Sequence, residues 1–172
     1  NHVSQLDLFV MASILPPGGT PLVKREFLFI PLLGQVLYAF DVTTIDRGNV
    51  VKAKSTLRRA VHKALAQQQS LFIAPEGTRS RNGDLGPFKM GAFYLAESLK
   101  APIVPAIIRG AGECQPMGNW LCRPGVVQVE FLEEVSSENF QRGDLHRHRD
   151  ALRATYVNAL SVKNENRAEP TP

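Results

Sequence analysis

The sequence predicts an α/β fold: a single domain with a mixed, partly parallel sheet flanked by helices. Short apolar, β-branched segments alternate along the chain with longer amphipathic ones, which is typical of a sheet covered by helices. The strand-like segments lie at 42–45, 70–74, 102–108 and 126–132. A chain of 172 residues with 44% hydrophobic content has the size of one globular domain, which we place at residues 1–162.

The N-terminal part of the chain predicts a helix, a strand and an interrupted apolar segment. Ser4 is a typical N-cap for a helix that stops at Pro-Pro-Gly-Gly, residues 16–19. Residues 21–24 are predicted to form a short strand. Residues 27–38 are apolar without alternation, so we expect a helix, interrupted by its proline, that is either buried or facing a membrane.

The best amphipathic helix is predicted for residues 50–67. Its apolar stripe consists of Val50, Leu57, Val61 and Ala64. Its cations group toward another side and are Lys52, Arg59 and Lys63. This basic side is either solvated, as charged helix faces usually are, or placed against anionic lipid.

The C-terminal half of the chain predicts two further helices. The first spans residues 89–99, between the strands at 70–74 and 102–108. The second closes the domain with an apolar face made of Leu145, Leu152, Tyr156 and Ala159. Residues 163–172 are polar and end in proline, so we expect a disordered tail.

Composition limits the classes of partner. The net charge of +4 and the pI near 9.3 favour anionic partners, meaning phosphates or a membrane surface. Aromatic residues are not interleaved with the basic ones and no nucleic-acid-binding motif is present, so we expect no nucleic-acid partner. Cys114 and Cys122 do not define a disulfide framework or a metal site, which favours a reducing compartment and no bound metal.

No apolar run reaches the roughly 20 residues that a membrane-spanning helix needs. The run 27–40 is the best candidate, and it is broken by Pro31 and Gly34. The chain has no initiator methionine and opens inside its own first motif, so we expect an N-terminally truncated domain.

The first motif pairs an imidazole with a carboxylate. His2 and Asp7 stand five positions apart, and in a continuous helix they would point roughly 140° away from each other. They meet if His2 precedes the helix and Asp7 lies in its first turn, where Asp7 can accept one ring N–H and leave the other nitrogen as a base. Ser4-x-x-Asp7 also fits a capping box, in which Asp7 only satisfies backbone donors.

The second motif is a glycine turn that ends in an arginine. Pro-Glu-Gly-Thr-Arg-Ser, residues 75–80, directly follows the strand-like segment 70–74, where α/β sheets place their sites. Arg79 offers a bidentate fork to a phosphate, and Gly77 lets backbone donors approach the same anion. We expect Glu76 to hold this loop through backbone or arginine hydrogen bonds. The Gly-x-Ser-x-Gly nucleophile elbow is absent, which disfavours a serine hydrolase.

Together the two motifs resemble those of the glycerolipid acyltransferase family. Asn-His-x-Ser-x-x-Asp at 1–7 is followed by Pro-Glu-Gly-Thr-Arg-Ser at 75–80, and the resemblance covers roughly residues 1–132. Three weaker blocks fall in the family's order: Ile45-Asp46-Arg47, Phe88-Lys89-x-Gly91-Ala92-Phe93 and Val104-Pro105-Ala106-Ile107. The resemblance implies the family's α/β fold and an acyl transfer from a thioester carrier to a lysolipid hydroxyl at a membrane.

Residue roles follow from the resemblance and from the chemistry of the side chains. His2 and Asp7 are predicted as the catalytic pair. The predicted substrate-binding residues are Arg47, Glu76, Gly77, Thr78, Arg79 and Lys24. Two departures concern the acceptor side: the family's glycine and phenylalanine before Ile45-Asp46-Arg47 are replaced by Asp41 and Thr44, and its phenylalanine before the glycine turn by Ala74.

The predicted function is therefore O-acyl transfer from acyl-CoA or acyl carrier protein to a lysophospholipid, giving phosphatidic acid if the acceptor is 1-acylglycerol-3-phosphate. The donor is a substrate, and no further cofactor is expected. We expect the protein on the cytoplasmic face of a membrane. Two alternatives stay open: an acyltransferase acting on another lysolipid or lipid head group, and a non-catalytic membrane-binding domain.

Overall fold

A computed structural model describes residues 4, 6–15, 19–39, 42–46, 48, 50–78, 80, 84–116, 119 and 121–165. The chain divides into two compact units. One is Val10–Ile73, and the other combines Asn1–Phe9 with Ala74–Pro172. Helix α1, Leu6–Ile14, begins in the second of these and ends in the first.

Among its described residues, the unit Val10–Ile73 contains four short strands. They are β1 (Thr20–Pro21), β2 (Val23–Lys24), β3 (Thr44–Ile45) and β4 (Leu71–Phe72). Strand β1 pairs with β4 and β2 with β3, both in parallel. Its helices are a 3₁₀ helix at Arg25–Phe29, α2 at Leu33–Ala39 and α3 at Val50–Gln67.

Helix α3 confirms the predicted bounds and the described part of the predicted stripe, while the side chain of Val50 lies outside the described residues. Val61 and Ala64 are buried and Leu57 is half-buried, whereas the side chains of Lys52 and Arg59 are exposed. The helix is held to its unit by this apolar stripe, because burial of such side chains contributes about 1.5–3 kcal/mol each for the larger ones.

The apolar segment 27–40 is broken at its proline, as predicted, but most of its described part is exposed. Phe29 and Leu32 each expose 76% of their area and Tyr38 exposes 85%. Only Gly34 and Leu37 of α2 are buried. Gly34 is required here because a Cβ at this position would overlap the carbonyl of Leu28. Of the two placements predicted for this segment, buried or facing a membrane, burial is therefore wrong for the exposed side chains.

The other unit contains the larger core. Its elements after the glycine turn are α4 (Gly91–Leu99), β5 (Ala106–Arg109), α5 (Ala111–Cys114), β6 (Gln128–Phe131) and α6 (Leu145–Glu165). Strands β5 and β6 pair antiparallel, with Ala106 opposite Phe131. Fully buried Phe93, Ile107 and Leu145 join α4, β5 and α6 in one apolar cluster.

Several sequence-based details need correction. The sheet is not continuous: among the described residues it consists of three two-stranded ladders. Strand 70–74 shortens to two residues that are half-buried, and its partner β1 ends at Pro21, which has no N–H to donate. Helix α5 was not predicted; it follows Gly110, whose φ of 81° suits only glycine at low cost.

Helix α6 confirms the predicted closing helix. Leu145, Leu152 and Tyr156 are buried along one face. The helix continues through Glu165, past the predicted domain end at 162, and the rest of the predicted tail lies outside the described residues. Among the helices that the structure describes, none combines the length and apolarity needed to cross a membrane.

Candidate active site

A capping box forms the start of α1. The backbone N–H of Ser4 donates to Oδ2 of Asp7 over 3.0 Å, and the Leu6 N–H donates to the Ser4 hydroxyl over 3.2 Å. Ser4 and Asp7 expose only 1% and 3% of their area. The capping interpretation of Asp7 is confirmed by these contacts. The predicted pairing of Asp7 with His2 lies outside the described residues.

The Ser4 side chain also hydrogen-bonds the start of α1 to a loop far along the chain. The Ser4 hydroxyl donates to the backbone carbonyl of Gln115 over 3.0 Å, with the Gln115 side-chain oxygen at 3.4 Å. Gln115 directly follows α5 and is itself buried. The first motif is thus held from two sides, by its own carboxylate and by the loop after α5.

The second motif begins with a tight glycine turn. Gly77 has φ of 72° and donates its N–H to the carbonyl of Ala74 over 3.1 Å. An L side chain at such a φ costs about 1–2 kcal/mol, which explains the glycine. Thr78 follows at the exposed side of the turn. Arg79, the predicted clamp, lies outside the described residues.

Glu76 holds this turn against a second segment. Its Oε2 accepts the N–H of Gly86 over 2.8 Å, and the Lys89 N–H donates to the Pro75 carbonyl over 2.7 Å. Glu76 exposes only 3% of its area. The predicted loop-holding contact through the backbone is confirmed, while a contact of Glu76 with substrate stays a prediction. A Cβ on Gly86 would lie 3.1 Å from Glu76 Oε2, so the approach is close.

A buried tyrosine lies beside this arrangement. The Tyr156 ring packs edge-on against Phe88 at a centroid distance of 5.2 Å, and its hydroxyl accepts the Ala106 N–H over 3.1 Å. Burial raises the pKa of Tyr156; the Ala106 N–H lowers it, and the nearby Glu76 carboxylate raises it further. Tyr156 is therefore a neutral phenol that ties α6 to both β5 and the segment after the turn.

Of the two predicted substrate-binding residues in the unit Val10–Ile73, the structure describes Lys24, which lies on the β2–β3 ladder. Lys24 is half-buried on β2 and stands opposite Ile45 of the Ile45-Asp46-Arg47 block. Asp46 accepts the N–H of Gly48 over 3.1 Å and lies 3.5 Å from Arg25. Arg47 itself lies outside the described residues.

Neither the cysteines nor other ligand-type side chains form a metal site in the part of the chain that the structure describes. Cys114 is buried and Cys122 is exposed, and both are free thiols.

Four residues of this site were not predicted: Gln115, Gly86, Tyr156 in its role beside Glu76, and Arg153, whose guanidinium donates to the carbonyls of Leu85 and Gly86. The sequence does indicate that Arg153 lies near the core, because it stands one helical turn before Tyr156 at the border of the apolar face of α6. Gly86 precedes a proline and reads as an ordinary turn residue. Nothing in the sequence singles out Gln115, since its contact joins positions 111 residues apart.

A buried capping box and a glutamate-anchored glycine turn thus both lie in one compact unit of an α/β fold. The sequence profile of the Acyltransferase family matches residues 1–109. The chain belongs to this family.

Individual relatives agree with the family match. The chain is 32% identical over 165 residues to the 1-acyl-sn-glycerol-3-phosphate acyltransferase of Limnanthes douglasii, covering 96% of this chain and 59% of the relative. It is 31% identical to that of Saccharomyces cerevisiae, covering 93% and 54%, and 32% identical to the human beta form, covering 98% and 62%. The chain thus spans little more than half the length of these curated relatives.

One solved structure shares the fold. The crystal structure of the 1-acyl-sn-glycerophosphate acyltransferase of Thermotoga maritima superposes with a TM-score of 0.73 at 23% identity. The superposition covers 100% of this chain and 66% of that one. The predicted α/β class is confirmed by this likeness.

Proposed function

We propose that the protein transfers a fatty acyl group from acyl-CoA or acyl carrier protein to the free hydroxyl of 1-acylglycerol-3-phosphate, giving phosphatidic acid. One observation carries this proposal: the buried capping box of the first motif and the glutamate-anchored turn of the second lie in the same compact unit of an Acyltransferase-family chain. The relatives named above support the choice of acceptor.

His2 serves as the general base in this proposal, and Asp7 orients it. The acceptor hydroxyl attacks the thioester carbonyl carbon while His2 takes its proton, and the tetrahedral intermediate then collapses with cleavage of the C–S bond. The thiolate leaves with little help because a thiol has a pKa of about 8.5, and it receives the proton that His2 holds. No covalent enzyme intermediate and no metal are needed for this sequence of bonds.

The acceptor phosphate is bound by cations and by the glycine turn. Arg79 supplies a bidentate guanidinium, and Gly77 and Thr78 supply the turn next to it. By the family resemblance, Arg47 and Lys24 of the unit Val10–Ile73 are further substrate-binding residues. Glu76 acts here through the loop, because its buried carboxylate already accepts the Gly86 N–H.

A substrate panel tests this function. The full-length protein is offered lysophosphatidate, lysophosphatidylcholine, lysophosphatidylethanolamine and glycerol 3-phosphate, each with labelled acyl-CoA or acyl carrier protein. We expect the highest kcat/KM with lysophosphatidate. A higher value with another acceptor would reassign the head group, and no transfer to any acceptor, together with retained vesicle binding, would favour a non-catalytic membrane-binding domain.

The acceptor resides in a membrane, and we propose that the apolar tip of the unit Val10–Ile73 contacts that surface. Phe29, Ile30, Leu32 and Tyr38 expose 43–85% of their area around the break at Pro31. Leu32 also has φ of 65°, which is an unfavourable backbone conformation for a leucine. Its side chain is nevertheless exposed to solvent. Basic residues of α3 add attraction to anionic lipid, and the free thiols fit the cytoplasmic face.

Vesicle co-sedimentation tests the membrane contact. We expect tighter binding to anionic than to zwitterionic vesicles, weakened by salt because each cation near the surface contributes about 1 kcal/mol. Replacing Phe29 and Leu32 by serine should weaken binding to both kinds of vesicle, whereas Leu121→Ser, at an exposed leucine of the other unit, serves as the control. Equal binding by all three proteins would contradict the assigned tip.

A further inference from the structure

The geometry points to Arg153 of α6 as a positioning residue for the glycine turn that leads to Arg79. This inference rests on the proposed function, because it concerns the acceptor clamp. Arg153 lies beyond residue 109, where the family match ends, and no role for it follows from either motif.

Arg153 donates hydrogen bonds to the segment 85–88, which contacts the glycine turn. Its Nη2 donates to the carbonyl of Leu85 over 2.9 Å, and its Nε donates to the carbonyl of Gly86 over 3.2 Å. Two adjacent carbonyls thus share one planar guanidinium. A lysine has a single point charge and lacks the rigid fork that holds two oxygens at once.

The peptide unit between Leu85 and Gly86 connects Arg153 to Glu76. Its carbonyl accepts from Arg153, and its N–H donates to the buried Glu76 carboxylate over 2.8 Å. Hydrogen bonds in such a chain polarise and strengthen one another. The order of Glu76, and therefore of the turn at Gly77, depends on where Arg153 holds this peptide.

Helix α6 gives Arg153 a fixed platform. Leu152 directly precedes Arg153 and Tyr156 comes three positions after it, and both are buried in the core of the same unit. Tyr156, one turn further along α6, packs against Phe88 of the same segment. The segment 85–88 is therefore held on α6 by a guanidinium at one end and an aromatic ring at the other.

Steady-state kinetics on the full-length protein test this role. The variants are Arg153→Ala and Arg153→Lys, with Arg147→Ala as the matched control at an exposed arginine of the same helix. Kinetic constants are measured separately for lysophosphatidate and for acyl-CoA, beside thermal unfolding. A misplacement of about 1 Å lowers catalytic efficiency by about 100-fold in other enzymes. We expect a 10- to 100-fold loss of acceptor kcat/KM in both Arg153 variants, by the same reasoning about positioning, with donor KM changed less than about twofold.

Two further readouts separate positioning from simple stability. Guanidinium added to Arg153→Ala at a non-denaturing concentration should restore part of the acceptor kcat/KM but nothing in Arg147→Ala. Hydrogen exchange of the Gly86 amide should rise about tenfold or more in Arg153→Ala, because its protection reflects local opening of this segment. Arg153→Lys keeps the charge and the aliphatic stem. If the alanine variant does not fold, the acceptor kcat/KM of the lysine variant therefore tests the inference.

Wild-type acceptor kcat/KM in folded Arg153→Ala would overturn the inference. Parallel losses for donor and acceptor, in proportion to lost thermal stability, would also overturn it. If the wild-type protein itself transfers nothing to lysophosphatidate, the proposed function fails instead. The Gly86 exchange rate then still shows whether Arg153 orders the segment.

Discussion

Asp7 accepts the backbone N–H of Ser4 through Oδ2 at 3.0 Å, while the Ser4 hydroxyl accepts the N–H of Leu6 and donates to Gln115. A carboxylate has two oxygens and can accept several hydrogen bonds. Capping α1 and orienting an imidazole are therefore compatible tasks for Asp7, and the capping contacts fix the direction of its carboxylate. The two interpretations drawn from the sequence do not exclude each other.

Removing the serine cap should destabilise the protein. Ser4→Ala loses the acceptor for Leu6 and the donor to Gln115, and the loss of an N-cap alone costs about 0.5–2 kcal/mol. Urea unfolding measures this difference. Ser13→Ala removes an exposed hydroxyl from the same helix and should change the free energy of unfolding by less than about 0.5 kcal/mol. Equal effects of the two substitutions would contradict the capping account.

Glu76 contributes an acceptor oxygen to the loop. Glu76→Gln keeps an oxygen for the Gly86 N–H, whereas Glu76→Ala leaves that buried donor unpaired at a cost of about 1–3 kcal/mol. We therefore expect a much lower melting temperature for alanine than for glutamine, with Glu133→Ala as the exposed control. A glutamine variant as unstable as the alanine variant would show that the carboxylate charge itself is required.

Tyr156 should make stability fall at alkaline pH. Its pKa is raised in the folded protein, so above about pH 10 the unfolded chain loses the phenol proton first and unfolding becomes more favourable as pH rises. Below pH 10 this contribution is constant. Tyr156→Phe should flatten the decline above about pH 10, because the group that titrates is removed. It should also cost about 1–3 kcal/mol at neutral pH, because the Ala106 N–H loses its acceptor.

Chemical denaturation across this pH range measures both effects. Tyr38→Phe removes a phenol that is 85% exposed and serves as the control. An unchanged alkaline slope in Tyr156→Phe would contradict the role assigned to the buried hydroxyl.

Two glycines should respond to alanine with opposite signs. Gly110 has φ of 81°, and a Cβ there would overlap the carbonyl of Val126, so Gly110→Ala should destabilise by more than about 2 kcal/mol. Gly91 begins α4 with open space around its Cα, so Gly91→Ala should stabilise by about 0.5–1 kcal/mol. Thermal unfolding of the two variants under one condition compares them. Destabilisation by both would show that space and backbone angle do not govern these positions.

Local physics explains which parts of the fold were predictable. Helix α3 was predicted to its bounds because its apolar stripe repeats at helical spacing over 18 residues. The capping box depends on neighbours in sequence and was equally predictable, whereas Gly86, the partner of Glu76, lies ten residues away and was not predicted. Strand pairing was not, since ladders of two residues carry almost no periodicity of their own.

Long-range contacts account for what the sequence could not supply. The contact of Ser4 with Gln115 joins positions 111 residues apart, and that of Arg153 with Leu85 joins positions 68 residues apart. No local pattern encodes such contacts. The family resemblance supplied the catalytic pair and the clamp, but not the residues that hold them in place.

Acyl transfer by His2 is the central claim, and turnover of the His2→Ala variant tests it most directly. The full-length wild-type and variant proteins are given labelled acyl-CoA and lysophosphatidate, and labelled phosphatidic acid is counted under single-turnover and steady-state conditions, beside thermal unfolding. We expect kcat to fall by at least about 100-fold with little change in melting temperature, because loss of a general base removes about 10²–10⁴-fold. A His2→Ala protein with near wild-type turnover would contradict the proposed mechanism.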